Sequence, residues 1–172
     1  IYSAPGTAVK EAYDTSGIVT NDRGVTVWLK GNRVSRNQIM AIKEESVTEQ
    51  KNSLAVCLDN ILRHAGITRN TEYDLAQGKT ATTILSENMT GVQVLDLSGC
   101  TLDAVLYYVN QDIPVLAILD DGEAVLVTGF NEFNVVIMEP STGKLYKKGM
   151  NDATAWFAEN GNHFITYMRT EN

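Results

Sequence analysis

The sequence predicts an α+β domain in which helices come first and an antiparallel sheet follows. Three observations carry that expectation. Between residues 52 and 110, apolar side chains recur at helical spacing. After Pro114 the pattern changes to apolar runs of strand length. Turn-forming residues divide those runs at Asp120-Asp121-Gly122, Asn131 to Asn134 and Ser141-Thr142-Gly143. Helices and strands segregated along the chain read as α+β, not as a parallel α/β alternation.

The elements follow in order. Residues 1–23 are mixed and turn-rich, with Pro5, Gly6, Gly17 and Asn21-Asp22, and read as an irregular N-terminal arm. This arm lies on the domain, leads in from a preceding one, or rests in a cleft like a pro-segment. Residues 24–172 then form a single domain. Gly24 to Leu29 is β-branched and aromatic, a short strand. Gln38 to Ser46 reads as one or two helical turns. Asn52 to Gly66 is the clearest helix. Asn52 or Ser53 caps its start, and Leu54, Leu58, Ile61, Leu62 and Ala65 share one face. Gly66 ends it, followed by the apolar Ile67. A weaker helix covers Thr80 to Asn88. Thr101 caps a third helix, with Leu102, Val105, Leu106 and Val109 on one face and Pro114 beyond its end. Pro114 to Leu119, Ala124 to Phe130, Val135 to Met138 and Lys144 to Lys148 read as an antiparallel meander. Asn151 to Glu159 is a short helix carrying Trp156 and Phe157, and His163 to Arg169 is the last strand.

Composition narrows the function classes. The chain has 172 residues, 44% hydrophobic and 20% charged, enough for one domain with a real core. No apolar run approaches the roughly 20 residues that span a bilayer. Fourteen Lys and Arg against 21 Asp and Glu give a net charge of −7. With no basic cluster, that balance excludes nucleic acid and anionic membrane surfaces as natural partners, because both present phosphates to be neutralised. The two cysteines, Cys57 and Cys100, make neither a disulfide scaffold nor a zinc ribbon. Both lie in or beside apolar segments and read as small buried hydrophobes. A Cys57–Cys100 disulfide would suit an exported protein, but nothing in the sequence brings the two together. The start at Ile1, without a leader, reads as a processed or excised piece of a longer protein.

Two stretches carry a family resemblance. The first runs Asn52-Ser53-Leu54-Ala55-Val56-Cys57-Leu58, through Ile61-Leu62, to Gly66-Ile67. The second is Ile113-Pro114-Val115-Leu116-Ala117, then Gly122-Glu123-Ala124-Val125-Leu126-Val127-Thr128-Gly129-Phe130, then Ile137-Met138-Glu139-Pro140 and Gly143. In order and spacing, residues 45–168 resemble papain-like cysteine peptidases, and more narrowly the double-glycine (bacteriocin-processing) leader peptidases. Members of that family have Asp-Cys-Gly at the helix start, Gly-His-Ala-Val-Val-Val-Thr-Gly-Tyr in the second stretch, and Asp-Pro after it. The resemblance implies a papain-like fold, helices packed on an antiparallel sheet, with a peptide cleft at the helix N-terminus.

The same resemblance places different residues at the catalytic positions. Ser53 stands at the nucleophilic cysteine, Glu123 at the general-base histidine and Glu139 at the orienting aspartate. The family's oxyanion glutamine falls at Val47, with Gln50 nearby at the wrong spacing. A papain-type thiol is activated by an imidazole and a helix N-terminus, which together yield a thiolate near neutral pH. A serine hydroxyl gains nothing comparable without a base. A carboxylate cannot orient and protonate a leaving amine as an imidazole does, and Glu123 and Glu139 would repel if they are neighbours. The expectation is therefore a catalytically inactive member of the fold, with no catalytic residues.

Other constellations compete with this reading. Cys57 is the alternative nucleophile, one turn beyond Ser53, and would make the protein an active cysteine peptidase with a non-standard base. His64 cannot be that base, since seven helical residues rise about 10 Å. His163 would have to reach it from another part of the sheet. Cys100 precedes a helix N-terminus but has no base beside it. Asp112, Asp120, Asp121 and Glu123 form an acidic group without EF-hand spacing, read as a solvated turn and not as a metal site. Lys144, Lys147 and Lys148 read as a solvated strand protected against edge pairing. Trp156 and Phe157 read as core, and Trp28 as packing in preference to a groove wall. The expected role is a binding or structural module, taking a peptide or protein in its cleft. It has no cofactor or metal, and it belongs to a larger bacterial exported or cell-surface protein. The sequence leaves the oligomeric state open.

Overall fold

The computed structural model describes residues 2, 4–15, 17–29 and 52–170. Gln38 to Ser46, Val47 and Gln50 lie outside the described residues. Within them the order is α1 (Pro5–Thr15), β1 (Ile18–Thr20), β2 (Thr26–Leu29), α2 (Ser53–His64), α3 (Glu72–Ala76), α4 (Ala81–Asn88), β3 (Val92–Asp96), α5 (Leu102–Asn110), β4 (Val115–Ile118), β5 (Ala124–Phe130), β6 (Asn134–Glu139), β7 (Lys144–Gly149), α6 (Met150–Glu159) and β8 (His163–Arg169). The architecture is α+β, as the sequence predicts.

Six strands form one antiparallel sheet in the order β3-β8-β4-β5-β6-β7. The meander β4 to β7 runs in sequence order, while β8 inserts between β3 and β4. All seven residues of β5 are buried, so both faces of this central strand are covered. Helices α2 and α5 each pack on β4 and β5. Helix α4 joins α2; α6 and α1 join α5. Phe157 of α6 meets Phe164 of β8 edge-on at 5.3 Å.

The helix that carries the resemblance is capped as its sequence indicates. The Asn52 side-chain oxygen accepts from the N–H groups of Leu54 (2.9 Å) and Ala55 (3.4 Å). At the other end Gly66 has φ +87°, and Ile67 N donates to Leu62 O at 2.8 Å, closing a Schellman turn. Leu58, Ile61 and Leu62 are fully buried. The loop after α2 is clipped to it by a buried carboxylate. Asp59 Oδ1 accepts from Thr71 N at 2.8 Å and lies 2.7 Å from Thr71 Oγ1.

The N-terminal segment corrects one expectation. Residues 1–23 are not an irregular arm: they contain α1 and β1, and β1 pairs with β2 as an antiparallel hairpin. Pro5 occupies the first helical position, where its missing N–H costs nothing, so it starts a helix instead of marking a turn. Val9 and Ala12 of α1 are core. A Cβ on Gly6 would meet Ser98 O at 3.0 Å and Asp96 O at 3.1 Å, so only glycine allows α1 this close to the β3–α5 connection. Cys100 Sγ donates to Gly6 O at 3.3 Å across the same contact.

Candidate functional site

The N-terminus of α2 meets the start of β5. Ser53 Oγ, half-buried in the first turn, accepts a hydrogen bond from Ala124 N at 2.9 Å. Glu123 therefore sits one residue from the Ser53 contact, at the end of the β4–β5 turn. That turn is closed by Leu119 N on Glu123 O (2.7 Å), and Asp121 Oδ1 accepts from Glu123 N (2.9 Å). Asp120 N donates to Asn160 Oδ1 at 3.0 Å, tying the turn to the end of α6. Glu123 is exposed. Glu139 ends β6, the strand paired with β5. Its carboxylate is committed to its own turn: Oε1 accepts from Ser141 Oγ at 2.9 Å and from Ser141 N at 3.2 Å.

Ser53, Glu123 and Glu139 are thus gathered at one end of the sheet, where the resemblance puts a nucleophile, a base and an orienting group. The contact between α2 and β5 runs through the main chain of Ala124. No side-chain pattern announces such a bond, and sequence reasoning missed it.

Cys57 lies one turn deeper and is 0% exposed. Burial pushes its thiol well above the ordinary value, and the nearby Glu139 charge adds to the effect. Access and ready ionisation, the two requirements of a thiolate nucleophile, are both missing. Cys100 is also buried and free, its thiol pushed up to about 11 by burial.

Of the chain's two imidazoles, His64 lies away from Ser53, and His163 stands at the same end of the sheet, two strands from Ala124. His64 is at the far end of α2, about 16 Å of helical rise from Ser53. Its Nε2 lies 3.0 Å from Asp112 O and 3.8 Å from Asp112 Oδ2. His163 pairs with Ile118, and Ile118 pairs with Ala124. Two strand spacings, about 10 Å, therefore separate the His163 backbone from that of Ala124.

The acidic group divides. Asp112 precedes β4 and Asp120 follows it, so they stand at opposite ends of a strand. Among the described residues, no three His, Cys, Asp or Glu side chains gather as a metal site. No described helix is long and apolar enough to cross a membrane. Trp28 is buried, its Nε1 donating to Ala104 O at 2.9 Å. Phe157 is core, and Lys148 Nζ sits 4.8 Å over the ring of the half-buried Trp156.

No protein-family model matches the chain, and no curated protein matches it. Among solved structures, it is similar to a protein from Bacillus anthracis assigned as a C39-like peptidase. The TM-score is 0.63 at 12% identity, over 78% of this chain and 98% of the other. At that identity the likeness establishes the fold alone: the α+β architecture described above is shared with that structure.

Proposed function

We propose that this chain keeps a peptidase fold without peptidase chemistry, and that the cleft between α2 and the start of β5 holds peptide without cutting it. One observation carries the proposal: the Ser53 hydroxyl, at the nucleophile's place, is the acceptor of the Ala124 N–H, and the residue beside that contact is a carboxylate, not an imidazole. Three further features support it. Glu139 serves its own turn through Ser141. Cys57 is enclosed in the apolar core. His64 lies at the far end of α2, and the His163 backbone stands two strands from that of Ala124.

The cleft's carboxylate is exposed, so the peptides it retains carry Lys or Arg. The proposal places this chain in a bacterial protein. The same reading makes it one domain of a larger exported or cell-surface chain.

The test is retention from an unbiased synthetic peptide mixture by immobilised protein, read by mass spectrometry. The proposal predicts that intact basic peptides are retained and that Glu123→Lys shifts the retained set toward acidic ones. Cut peptides, or a retained set indifferent to Glu123→Lys, contradict it.

A further inference from the structure

A groove lies apart from Ser53, beside the β3 edge of the main sheet. It has a volume of about 790 Å³ and runs between α1 and the β1–β2 hairpin. Its floor is small and apolar: Ala4, Pro5, Ala8 and Ala12 of the first turns of the chain. Asn21 Nδ2 donates to Gln93 Oε1 at 3.3 Å, linking the hairpin to β3 at one end.

The wall identifies the kind of occupant. Ile18, Val19 and Thr20, all of β1, line the groove, whereas Val27 is its only contribution from β2. Strand β1 lies beside the groove and, among the described residues, pairs on one side only, with β2. The main-chain N–H and C=O groups of its other edge have no partner strand among them, and an open edge of this kind is a template for another extended chain. Ile18 is 60% exposed at this edge.

Charge sets the chemistry of the guest. Among the described residues the lining holds two carboxylates, Glu11 and Asp22, both exposed, and no Lys or Arg. Apolar floor, open strand edge and anionic rim are complementary to one ligand class. We infer that this groove binds an extended peptide of alternating aliphatic and basic residues, which adds to β1 as a third strand of the hairpin. Its main chain pairs with β1, its aliphatic side chains rest on the alanines of α1, and its cations meet Glu11 and Asp22.

The probe is a fluorescent Val-Lys repeat of eight residues, with a Val-Glu repeat and a Val-Lys repeat N-methylated at alternate residues as comparisons. Binding is read by anisotropy on the full chain. The Val-Lys repeat is expected to bind saturably and at least tenfold more tightly than Val-Glu. N-methylation in the register that faces β1 is expected to abolish binding, and in the other register to leave it. Glu11→Lys with Asp22→Lys, both at exposed positions, is expected to reverse the preference; the circular-dichroism spectrum checks that this variant is folded. Loss of binding on Glu123→Lys instead would move the peptide to the Ser53 cleft and overturn the inference. So would binding indifferent to N-methylation in both registers. Absence of saturable binding overturns it as well. Together with a mass that rises with protein concentration, that result would assign the groove to a second copy of the chain.

Discussion

If Ser53 is a structural acceptor and not a nucleophile, Ser53→Ala costs stability and no chemistry. The size follows from one bond. Ala124 N donates to Ser53 Oγ at 2.9 Å, and alanine leaves that N–H without a partner. An unsatisfied buried donor costs about 1–3 kcal/mol. Here Ser53 is half-buried and Glu123 next door is exposed, so water reaches the vacated position and the cost falls near the lower end. Alanine's better helix propensity returns up to about 0.5 kcal/mol. The net loss is about 0.5–1 kcal/mol, or a melting temperature lower by about 1–4 °C for a domain of this size. Scanning calorimetry and guanidinium titration at pH 7 measure it, with circular dichroism to show that the fold is kept. An unchanged or raised melting temperature would refute the reasoning, because the Ser53–Ala124 bond would then not be holding α2 to β5. A drop in peptide turnover on the same substitution would refute it more deeply, by giving the hydroxyl a chemical task.

Other expectations follow from the same geometry. Asp59→Ala removes the carboxylate that accepts from Thr71 N and strands that buried N–H; a loss of about 2–3 kcal/mol is expected, and a denaturant midpoint within error of the parent's would contradict it. Cys57 and Cys100, both buried, should resist alkylation at pH 8 in the folded chain and react together on unfolding; selective labelling of Cys57 in the folded state would show it accessible. Both thiols are held above their ordinary value of 9.0 in the folded chain. Below that value both states are neutral and nothing is lost. Above it only the unfolded chain ionises, so stability falls by about 1.4 kcal/mol per pH unit per thiol. Denaturant titrations between pH 8 and 10 should show this fall, with a flatter slope in Cys57→Ala; equal slopes in the two proteins would contradict it.

Much of the fold is legible in the sequence where pattern and cap agree. The helix of Asn52 to Gly66 is announced by its Asn cap, its apolar face and its terminal glycine, and all three take their parts in the structure. The meander is legible because each apolar run ends in a turn that only a few residue types form. The lost elements lack such double signals. In α1, Pro5 and Gly6 look like a turn, although proline suits the first helical position and glycine is demanded by the Asp96–Ser98 backbone. Strand β3 shows only weak alternation, since it lies at the sheet edge, half-exposed along most of its length. Helix α3 has five residues and no apolar stripe. At the candidate site the sequence names Ser53, Glu123 and Glu139, because their neighbours follow a recognisable spacing. It cannot show that Ser53 is tied to a main-chain N–H, nor that Glu139 is used by Ser141. Those bonds depend on which strand end meets which helix end.

The central claim is that this peptidase fold does not cut peptides. The most direct measurement is a mass-resolved time course of an unbiased peptide mixture with excess wild-type protein, run beside Ser53→Ala and Cys57→Ala. The account predicts that no product accumulates above the protein-free control in any of the three. Product that accumulates with the wild type and disappears in either variant would contradict it, and would name the nucleophile.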